Sequence, residues 1–292
     1  MTKVHEYSVS MRILAQLGFH GLAWSLRRLH CPVSAPALVL DVGSGGNPYP
    51  RANVLLDAYE ESPERYHSAL VSDRPMVFGI IEKMPFKDKA FDFVIASHVL
   101  EHTSDPDAFL GELMRVGKAG YIETPDAFFE RINPFRFHRL EVSKKDDSLE
   151  IFKKRSWRHD ANVVDLYERQ LKDEPFLRFT SKFPWPFYTR LYWSEKITYK
   201  VVNPDIDASW SLPKDDSYAA QPLSPTRRFS VRFARWLYSQ RGRNAKLNIR
   251  ELIVCPTCGS GGLSWSENNV RCLDCKISYP IRRGIPVMYP AA

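Results

Sequence analysis

Four of the five cysteines of this chain stand in two Cys-x-x-Cys pairs near its C-terminus. The pairs are "CPTC" and "CLDC", and their members are Cys255, Cys258, Cys272 and Cys275. Two such pairs supply four thiolates, which close a tetrahedron around Zn²⁺, whereas structural disulfides are rare in reducing compartments. We therefore predict a structural zinc site with these four ligands. Because a four-thiolate site keeps no open position, it is not expected to perform chemistry on a substrate.

A second group of residues follows a short apolar run, in the stretch "LDVGSGGNP". Asp41 stands at the end of the run, and Gly43, Gly45 and Gly46 follow in the turn. Glycine permits positive φ and lets a ligand come close to the backbone. The next apolar run, "NVLLDA", ends at Asp57, where a carboxylate can accept hydrogen bonds from a ribose diol. These residues indicate either a nucleotide site or a tight turn that binds no ligand.

The elements that must position these residues show an alternating pattern. Five short apolar runs are predicted to be buried strands: "PALVLDVG", "NVLLDA", "MVFGII", "FDFVIASH" and "AGYIETP". The helical stretch "DPDAFLGELMRV" separates the last two, which is typical of βαβ units around a parallel sheet. Residues 10–29 are predicted to form an amphipathic helix, weakened at Gly18 and Gly21, and "HRLEVSKKDDSLEIFKKR" an antiparallel hairpin. The expected fold class is therefore α/β.

Three motifs, in their order along the chain, resemble those of class I S-adenosylmethionine-dependent methyltransferases. Residues 35–125 contain the glycine turn, the acid after the second strand and the stretch "EKMPFKDKAFDFVIASHVLEH". This last stretch is similar to the branch of the family whose fourth strand continues as Ser-x-Val-Leu-Glu-His. The resemblance implies a Rossmann-like sheet and S-adenosyl-L-methionine as the cofactor.

The resemblance also implies which residues contact the cofactor. The glycine turn would line its methionine end, the acid after the second strand would hold the ribose, and later positions would lie near the adenine or face the sulfonium. In this order the residues are Asp41, Gly43 and Gly45; Asp57; Ile81, Glu82 and Met84; and Ser97. Two departures from the family pattern are Asn47, in place of a third glycine, and Ile80, in place of an acid that contacts the adenine amine.

Residues after the fourth strand are candidates for catalysis. A sulfonium methyl is already activated, so its transfer needs in-line positioning and, for a hydroxyl acceptor, a base. The side chains that qualify are His98, Glu101, His102 and His138. We predict His98 and His138 as the catalytic residues, and a wall of the acceptor pocket is the alternative role for His98. His102 is expected to close the helix after strand four, as it often does in this branch.

The C-terminal stretch has a resemblance of its own. Residues 250–290, with "LIVCPTCGSGGLSW" and "YPIRRGIPVM", resemble the small zinc-ribbon subunits that activate tRNA, rRNA and release-factor methyltransferases. The resemblance implies that the zinc ribbon supports a methyltransferase core, which here is fused in the same chain.

Composition separates two further segments. The net charge of +7 is concentrated in residues 221–250, which hold eight basic side chains and no acidic one, so the rest of the chain carries 33 basic and 34 acidic residues. A general affinity for nucleic acid is therefore not indicated.

The predicted domains are a cofactor-binding core (1–154), an aromatic-rich insertion for acceptor binding (155–222), a basic helix and linker (223–250) and the zinc ribbon (251–292).

These observations predict a methyltransferase that O-methylates a saccharide-like or other small acceptor. The strand-four motif is not the Asn-Pro-Pro-Tyr of amide methylation, and the aromatic rings of the insertion can bind sugars. The alternative is an enzyme that acts on RNA or protein with a built-in zinc-ribbon activator, and a weaker one is an inactive binding module.

The sequence also bears on location and on membranes. The N-terminus lacks a secretory signal and no apolar run could span a membrane, so a cytoplasmic location is expected. The helix predicted over residues 224–241 has an aromatic face and a solvated basic face, formed by Phe229, Phe233, Trp236 and Leu237 and by Arg228, Arg232 and Arg235. It could contact a membrane surface, RNA phosphates or a phosphorylated substrate, or simply pack on the protein core.

Overall fold

The computed structural model describes residues 6–62, 69–157, 160–166, 169, 174–211 and 224–291. These residues divide into two compact units, each assembled from separate stretches of the chain. The first unit comprises the described residues of 6–32, 97–106 and 121–211, and the second those of 33–96, 107–120 and 224–291. Of the predicted insertion, residues 158–159, 167–168, 170–173 and 212–222 lie outside the described residues. The domain boundaries proposed from the sequence stay predictions.

The helices and strands are numbered in chain order. The helices are α1 (Val9–Gln16), α2 (His20–Leu26), α3 (Pro106–Val116), α4 (Ala127–Ile132), α5 (Ala161–Leu166), α6 (Glu174–Lys182), α7 (Pro225–Tyr238) and α8 (Arg241–Asn244). The strands are β1 (Val39–Val42), β2 (Val54–Asp57), β3 (Met76–Phe78), β4 (Phe93–Ser97), β5 (Ala119–Pro125), β6 (Leu140–Lys145), β7 (Ser148–Lys153), β8 (Tyr188–Ser194), β9 (Thr198–Val201), β10 (Leu263–Trp265), β11 (Asn269–Cys272), β12 (Ser278–Arg282) and β13 (Ile285–Pro286).

The second unit is built on a parallel sheet in the order β3-β2-β1-β4. Leu40 of β1 lies opposite Val54 of β2 on one side and Val94 of β4 on the other. Every residue of β1, β2 and β3 is buried, as expected for parallel strands covered on both faces. The predicted α/β class and Rossmann-like sheet are therefore confirmed. The carboxyl ends of the four strands, where the sequence places the chemistry, meet at one edge.

The zinc ribbon belongs to the same unit as this sheet. Its strands form an antiparallel sheet in the order β10-β11-β12-β13. The ribbon continues the edge of the parallel sheet, because Val287 bridges Phe78 of β3 and the Met288 N–H donates to the Phe78 carbonyl at 2.7 Å. A second strand-like contact joins Phe86 and Ile253. The ribbon thereby covers an edge strand that would otherwise present unpaired backbone groups.

The first unit contains the N-terminal helices, β5 beside β8, and a three-stranded sheet in the order β6-β7-β9. The predicted hairpin is confirmed as the antiparallel pair β6–β7. The single helix predicted over residues 10–29 is wrong: it is divided into α1 and α2, because Gly18 between them adopts a positive φ of 84°.

Helix α7 begins where the sequence predicts. The hydroxyl of Ser224 accepts a hydrogen bond from the Arg227 N–H at 3.3 Å, and Pro225 occupies the first turn. One expectation changes: Arg235 does not share the solvated basic face, since its Nε lies 3.3 Å from Asp73 Oδ2 and its side chain is only 17% exposed. Among the described residues, none of the helices is long and apolar enough to cross a membrane.

Candidate active site and metal centre

The turn after β1 has a backbone that requires glycine. Gly43 and Gly45 have φ values of 63° and 55°, a region in which a Cβ is strained. Asp41 stabilises the far side of this turn, because its Oδ2 accepts the Tyr49 N–H at 2.7 Å. The Ser44 N–H donates to the Leu56 carbonyl at 3.2 Å and ties the turn to β2. These hydrogen bonds fix the position of the turn beside the ends of β1 and β2.

Asp57, at the end of β2, is in direct contact with the glycine turn. Its Oδ2 accepts the Gly45 N–H at 2.8 Å and its Oδ1 accepts the Tyr59 N–H at 3.0 Å. The structure therefore brings Asp57 and the glycine turn together, as a ribose site requires, and the role of Asp57 in holding the ribose stays a prediction.

A cavity of about 520 Å³ lies beside the ends of β2 and β3. This volume falls in the range of roughly 300–1,000 Å³ that is usual for small-molecule sites. Its wall combines residues that follow β2, residues near β3 and residues of the ribbon hairpin β12–β13; among them are Glu60, Ser62, Phe78, Arg282, Arg283 and Ile285. Arg283 Nη1 and Glu60 Oε1 form an ion pair at 2.7 Å. The ribbon therefore contributes directly to this cavity, whose described lining residues include none of the predicted cofactor-binding residues.

The residues predicted to lie against the adenine follow β3. Ile81 is buried, Glu82 is half-buried, and Met84 is 1% exposed. The backbone of Met84 is held from α3, since its N–H donates to Glu112 Oε2 at 2.6 Å and its carbonyl accepts Arg115 Nη2 at 2.9 Å. The adenine contacts stay predictions. All seven predicted cofactor residues before Ser97 lie in the second unit, whereas Ser97, His98 and His138 lie in the first.

His98, directly after β4, has a strained backbone. Its φ is 59°, which is uncommon for a residue other than glycine, and its N–H donates to the Glu123 carbonyl at 2.7 Å. Its imidazole lies between two carboxylates, with Nε2 3.2 Å from Glu123 Oε1 and Nδ1 3.5 Å from Glu101 Oε1. Ser97 contacts the same Glu123 oxygen, at 3.2 Å. Strain that is maintained by surrounding contacts is often found at functional positions.

The two carboxylates control the charge of His98. Desolvation lowers its pKa, but the contacts with Glu101 and Glu123 outweigh desolvation and raise the pKa to about 9. His98 is therefore mainly an imidazolium at neutral pH. Its side chain is 39% exposed, so that it can reach a ligand as a hydrogen-bond donor or, in its neutral form, as a base.

Glu123 is a central residue that the sequence analysis missed. It is fully buried and receives both Nε and Nη2 of Arg27, at 2.7 and 2.9 Å. The hydroxyl of Tyr121 donates to its Oε2, and Arg190 Nε donates to that hydroxyl at 2.9 Å. An acid inside the apolar run "AGYIETP" was the available signal. The two arginines come from distant stretches and carry no local signal.

Aromatic side chains of the predicted insertion surround Arg190. Its guanidinium lies 5.1 Å from the ring centre of Trp185 and 5.8 Å from that of Tyr192. These partly buried rings therefore pack against a buried arginine of the first unit. Tyr188 has a different neighbour: its ring meets the His98 imidazole edge to face, with centroids 5.5 Å apart. It is an aromatic ring of the insertion placed beside a predicted catalytic residue.

His138 lies close to Glu101 and His102 in the first unit. Its Nδ1 is 2.6 Å from Glu130 Oε2, and its Nε2 is 3.9 Å from Glu101 Oε1. The rings of His102 and His138 are nearly perpendicular, with centroids 4.8 Å apart. Desolvation and the neighbouring His138 lower the pKa of His102 to about 3, so that this ring is neutral. Two histidines from separate stretches thus meet at one buried carboxylate.

The four cysteine sulfurs converge as a zinc site requires. The sulfurs all lie within 4.8 Å of one another, and the Cys255–Cys275 and Cys258–Cys272 pairs are each 3.6 Å apart. Zinc–sulfur bonds of about 2.3 Å give a tetrahedron whose edges are about 3.8 Å, whereas a disulfide needs about 2.05 Å. The Tyr279 hydroxyl lies 3.0 Å from Cys255 Sγ and can orient this ligand. The donor set fits Zn²⁺.

Part of this chain is similar to known proteins. The family described as "Methyltransferase domain" matches residues 40–122. No curated protein matches the chain. Among solved structures, the YcgJ protein of Bacillus subtilis is 24% identical over 37% of this chain, with a TM-score of 0.28. The match spans about half (51%) of the length of that protein.

Two further solved structures are similar at the same level. One is a Haloferax volcanii complex of the Trm112 methyltransferase activator with a methyltransferase: 18% identity, 47% of this chain, 75% of that chain and a TM-score of 0.32. The other is a Thermotoga maritima S-adenosylmethionine-dependent methyltransferase: 19% identity, 42% of this chain, 63% of that chain and a TM-score of 0.29. Residues 40–122 thus match a methyltransferase domain, for which S-adenosyl-L-methionine is the expected cofactor.

Proposed function

We propose that the protein transfers a methyl group from S-adenosyl-L-methionine to a hydroxyl of a saccharide-like or other small acceptor. The observation that supports this most directly is His98. It stands after β4 with a strained backbone and a partly exposed imidazole, between Glu101 and Glu123. A hydroxyl acceptor needs a group at this position that binds its oxygen and takes its proton.

The second unit is proposed to bind the cofactor. The glycine turn with Gly43 and Gly45 would line the methionine end of the cofactor, and Asp57, which also anchors the turn through Gly45, would hold the ribose hydroxyls. When bound, the cofactor supplies a methyl group on a positively charged sulfur. Little covalent assistance is then required from the protein, whose task is to orient the two reactants and exclude water.

Residues around His98 are proposed to bind the acceptor. Neutral His98 would take the hydroxyl proton of the acceptor as the acceptor oxygen receives the methyl group that the bound cofactor would supply. Glu101 and Glu123 then stabilise the imidazolium through the contacts that raise its pKa. The ring of Tyr188 beside this imidazole would form part of the wall of the acceptor site. His138 is proposed to position Glu101 from the opposite side.

The second candidate is methylation of RNA or protein. It rests on the ribbon, which is attached to β3 in the same unit as the glycine turn and contributes to the cavity beside the ends of β2 and β3. An RNA enzyme needs many phosphate contacts, and its affinity then falls steeply with salt. Positive charge is concentrated in α7 and α8 and not spread over the chain, which favours the small acceptor.

One assay of methyl transfer distinguishes a small acceptor from RNA and from protein. We expect tritiated methyl from labelled cofactor to appear in the low-molecular-weight or glycan fraction of a cell extract, with nearly equal yield at low and moderate salt. His98→Ala is expected to lower the rate by roughly 10²–10⁴-fold, which is the usual contribution of a general base. His20→Gln, in α2, is the matched histidine control and should retain the rate.

The opposite outcome of this assay is equally specific. Label in the RNA fraction, with transfer that collapses at the higher salt and after Arg228→Gln and Arg232→Gln, would replace the small acceptor by RNA. Label in the protein fraction would select the protein acceptor. These two arginines are suitable because both are exposed, whereas Arg235 is held by Asp73.

Helix α7 is proposed to contact an anionic membrane surface. None of its 14 residues is buried. Its apolar face is exposed, at 70% for Phe229, 51% for Phe233 and 57% for Trp236, and the rings of these residues stack on one another. Arg228 and Arg232 lie beside these rings. Adjacent apolar and basic surfaces match a negatively charged lipid interface better than nucleic acid, which needs no exposed apolar face.

Vesicle sedimentation tests this surface. We expect the protein to co-sediment with vesicles that contain phosphatidylglycerol and not with pure phosphatidylcholine vesicles. Phe233→Ser with Trp236→Ser should abolish binding, because the buried apolar area is lost. Leu166→Ser, an exposed apolar residue of α5, is the control. Equal binding by the α7 variant and the unmodified protein would exclude this role.

The four-thiolate site also supports a location. Its ligands must be reduced to hold zinc, and a reducing compartment maintains them so. A cytoplasmic location is therefore part of the proposal.

A further inference from the structure

A buried group of potential metal ligands lies in the first unit, apart from the cysteines. The donor atoms of Glu101, His102 and His138 are within 4.8 Å of one another. Glu101 and His102 are consecutive residues of the turn after β4, and His138 precedes β6. The Arg139 N–H donates to the Glu101 carbonyl at 2.7 Å, so a backbone hydrogen bond fixes the two stretches against each other. The approach of the three side chains is therefore built into the fold.

The Glu101 carboxylate lacks the partners that burial requires. Glu101 is 1% exposed, and neither of its oxygens has a hydrogen-bond partner among the described residues. The imidazole nitrogens His98 Nδ1 and His138 Nε2 lie 3.5 and 3.9 Å from Oε1, which is at or beyond the limit of a hydrogen bond. The His98 imidazole that faces Oε1 balances part of the charge of this carboxylate, but neither oxygen has a hydrogen bond, and a buried carboxylate in this state favours a further cation.

The His138 ring is oriented by residues behind it. Its Nδ1 lies 2.6 Å from Glu130 Oε2, and Lys154 Nζ donates to Glu130 Oε1 at 2.7 Å. Glu130 can accept a hydrogen bond from a protonated Nδ1 of His138. The other ring nitrogen, Nε2, then carries a lone pair on the side of Glu101. A carboxylate behind a histidine in this way is typical of metal-binding histidines, because it fixes the ring and makes the other nitrogen a better ligand.

We infer that Glu101, His102 and His138 form a binding site for a divalent transition-metal ion. Two imidazoles and one carboxylate favour Mn²⁺, Fe²⁺, Co²⁺ or Zn²⁺ over Mg²⁺ and Ca²⁺, which prefer oxygen ligands. Three protein ligands leave coordination positions for a further oxygen. His102 is only partly buried, so an ion can enter past its ring. This inference goes beyond the proposed function, and its test does not involve methyl transfer.

Manganese is the probe for this site. The full-length protein is loaded with one equivalent of Zn²⁺ per chain, which fills the cysteine site, and Mn²⁺, which binds poorly to thiolates, does not displace it. Electron paramagnetic resonance of free Mn²⁺ is followed during titration. We expect one bound Mn²⁺ per chain, and pulsed measurements should detect ¹⁴N coupling from directly bound imidazoles. The pulsed spectrum uses the unmodified protein, so it remains decisive if a variant fails to fold.

Variants assign the ligands. Glu101→Gln and His138→Gln should each weaken Mn²⁺ binding at least about 100-fold, and Glu130→Gln about 10–100-fold, the usual effect of losing a group that orients a ligand. Glu141→Gln, a buried carboxylate of β6 that pairs with Arg131, should bind as the unmodified protein does. Absence of a stoichiometric Mn²⁺, binding without nitrogen coupling, or equal binding by folded Glu101→Gln would show that the group is only an ion-pair network and overturn the inference.

Discussion

Removal of zinc is expected to unfold the ribbon and to expose the edge of the parallel sheet. The cysteine site of the purified protein should hold one zinc per chain, and a strong chelator under reducing conditions should remove it. Structural zinc contributes roughly 10–16 kcal/mol of apparent binding free energy in small zinc domains, far more than a ribbon of this size gains from its own core. Removal of zinc should therefore unfold the ribbon completely, and addition of zinc should refold it.

Hydrogen exchange locates the effect of chelation. The amides of Val287 and Met288, which donate to Pro280 and Phe78, should lose protection. The amides of the hairpin β6–β7 should keep theirs, because that hairpin belongs to the first unit.

Two cysteine variants, one with a ligand removed and one control, test which residues bind the zinc. Cys272→Ser removes a ligand and should abolish stoichiometric zinc, whereas Cys31→Ser should retain it. Zinc-free protein with the four C-terminal cysteines in disulfides, purified under reducing conditions, would contradict the zinc assignment. So would unchanged protection of Met288 after complete removal of the metal.

Asp57→Ala is expected to weaken binding of S-adenosyl-L-homocysteine by roughly 1–3 kcal/mol, or about 5–150-fold, the cost of leaving buried hydroxyls without an acceptor. The true loss should lie toward the upper end of this range. Asp57 also accepts the Gly45 and Tyr59 N–H groups, so its removal loosens the glycine turn as well. Isothermal titration calorimetry measures the change.

Two comparisons separate the ribose contact from damage to the turn. A 2′-deoxy analogue of the cofactor should bind the unmodified protein more weakly, and Asp57→Ala should no longer discriminate between the two ligands. Asp92→Ala is the matched control, because Asp92 also accepts a backbone N–H, that of Leu38 at 2.7 Å, but stands before β4 at the opposite end of the strands. Unchanged affinity in Asp57→Ala, or tight binding of a nicotinamide or flavin nucleotide in place of the methyl donor, would remove the basis of the cofactor assignment.

The amino-acid sequence by itself determined features whose causes are local. The strands β1 to β5 follow from short apolar runs, and the start of α7 follows from Ser224 and Pro225. The positive φ of Gly43 and Gly45 follows from residue type. The spacing of the cysteines was enough to predict the convergence of their four sulfurs. In each case the residues that cause the structure lie within a few positions of one another.

Only the tertiary structure decided which residues from distant stretches share an environment. Arg27 pairs with Glu123, 96 residues away, and no local sequence pattern predicts this pair. Arg235 has the helical spacing of an exposed basic residue, yet Asp73 binds it. The break at Gly18 likewise depends on how the N-terminal helices pack, since a single glycine only weakens a helix.

The same distinction holds for the chemistry of the site. Residue types identified His98 and His138 as candidates, but the charge of His98 is set by Glu123, which β5 brings beneath it. The Glu101–His102–His138 group exists because a backbone hydrogen bond joins the turn after β4 to the stretch before β6. Sequence patterns report the short-range causes of structure. The pKa of a side chain and the ligands of a metal ion depend on distances of a few ångströms between residues far apart in the chain, and folding alone sets those distances.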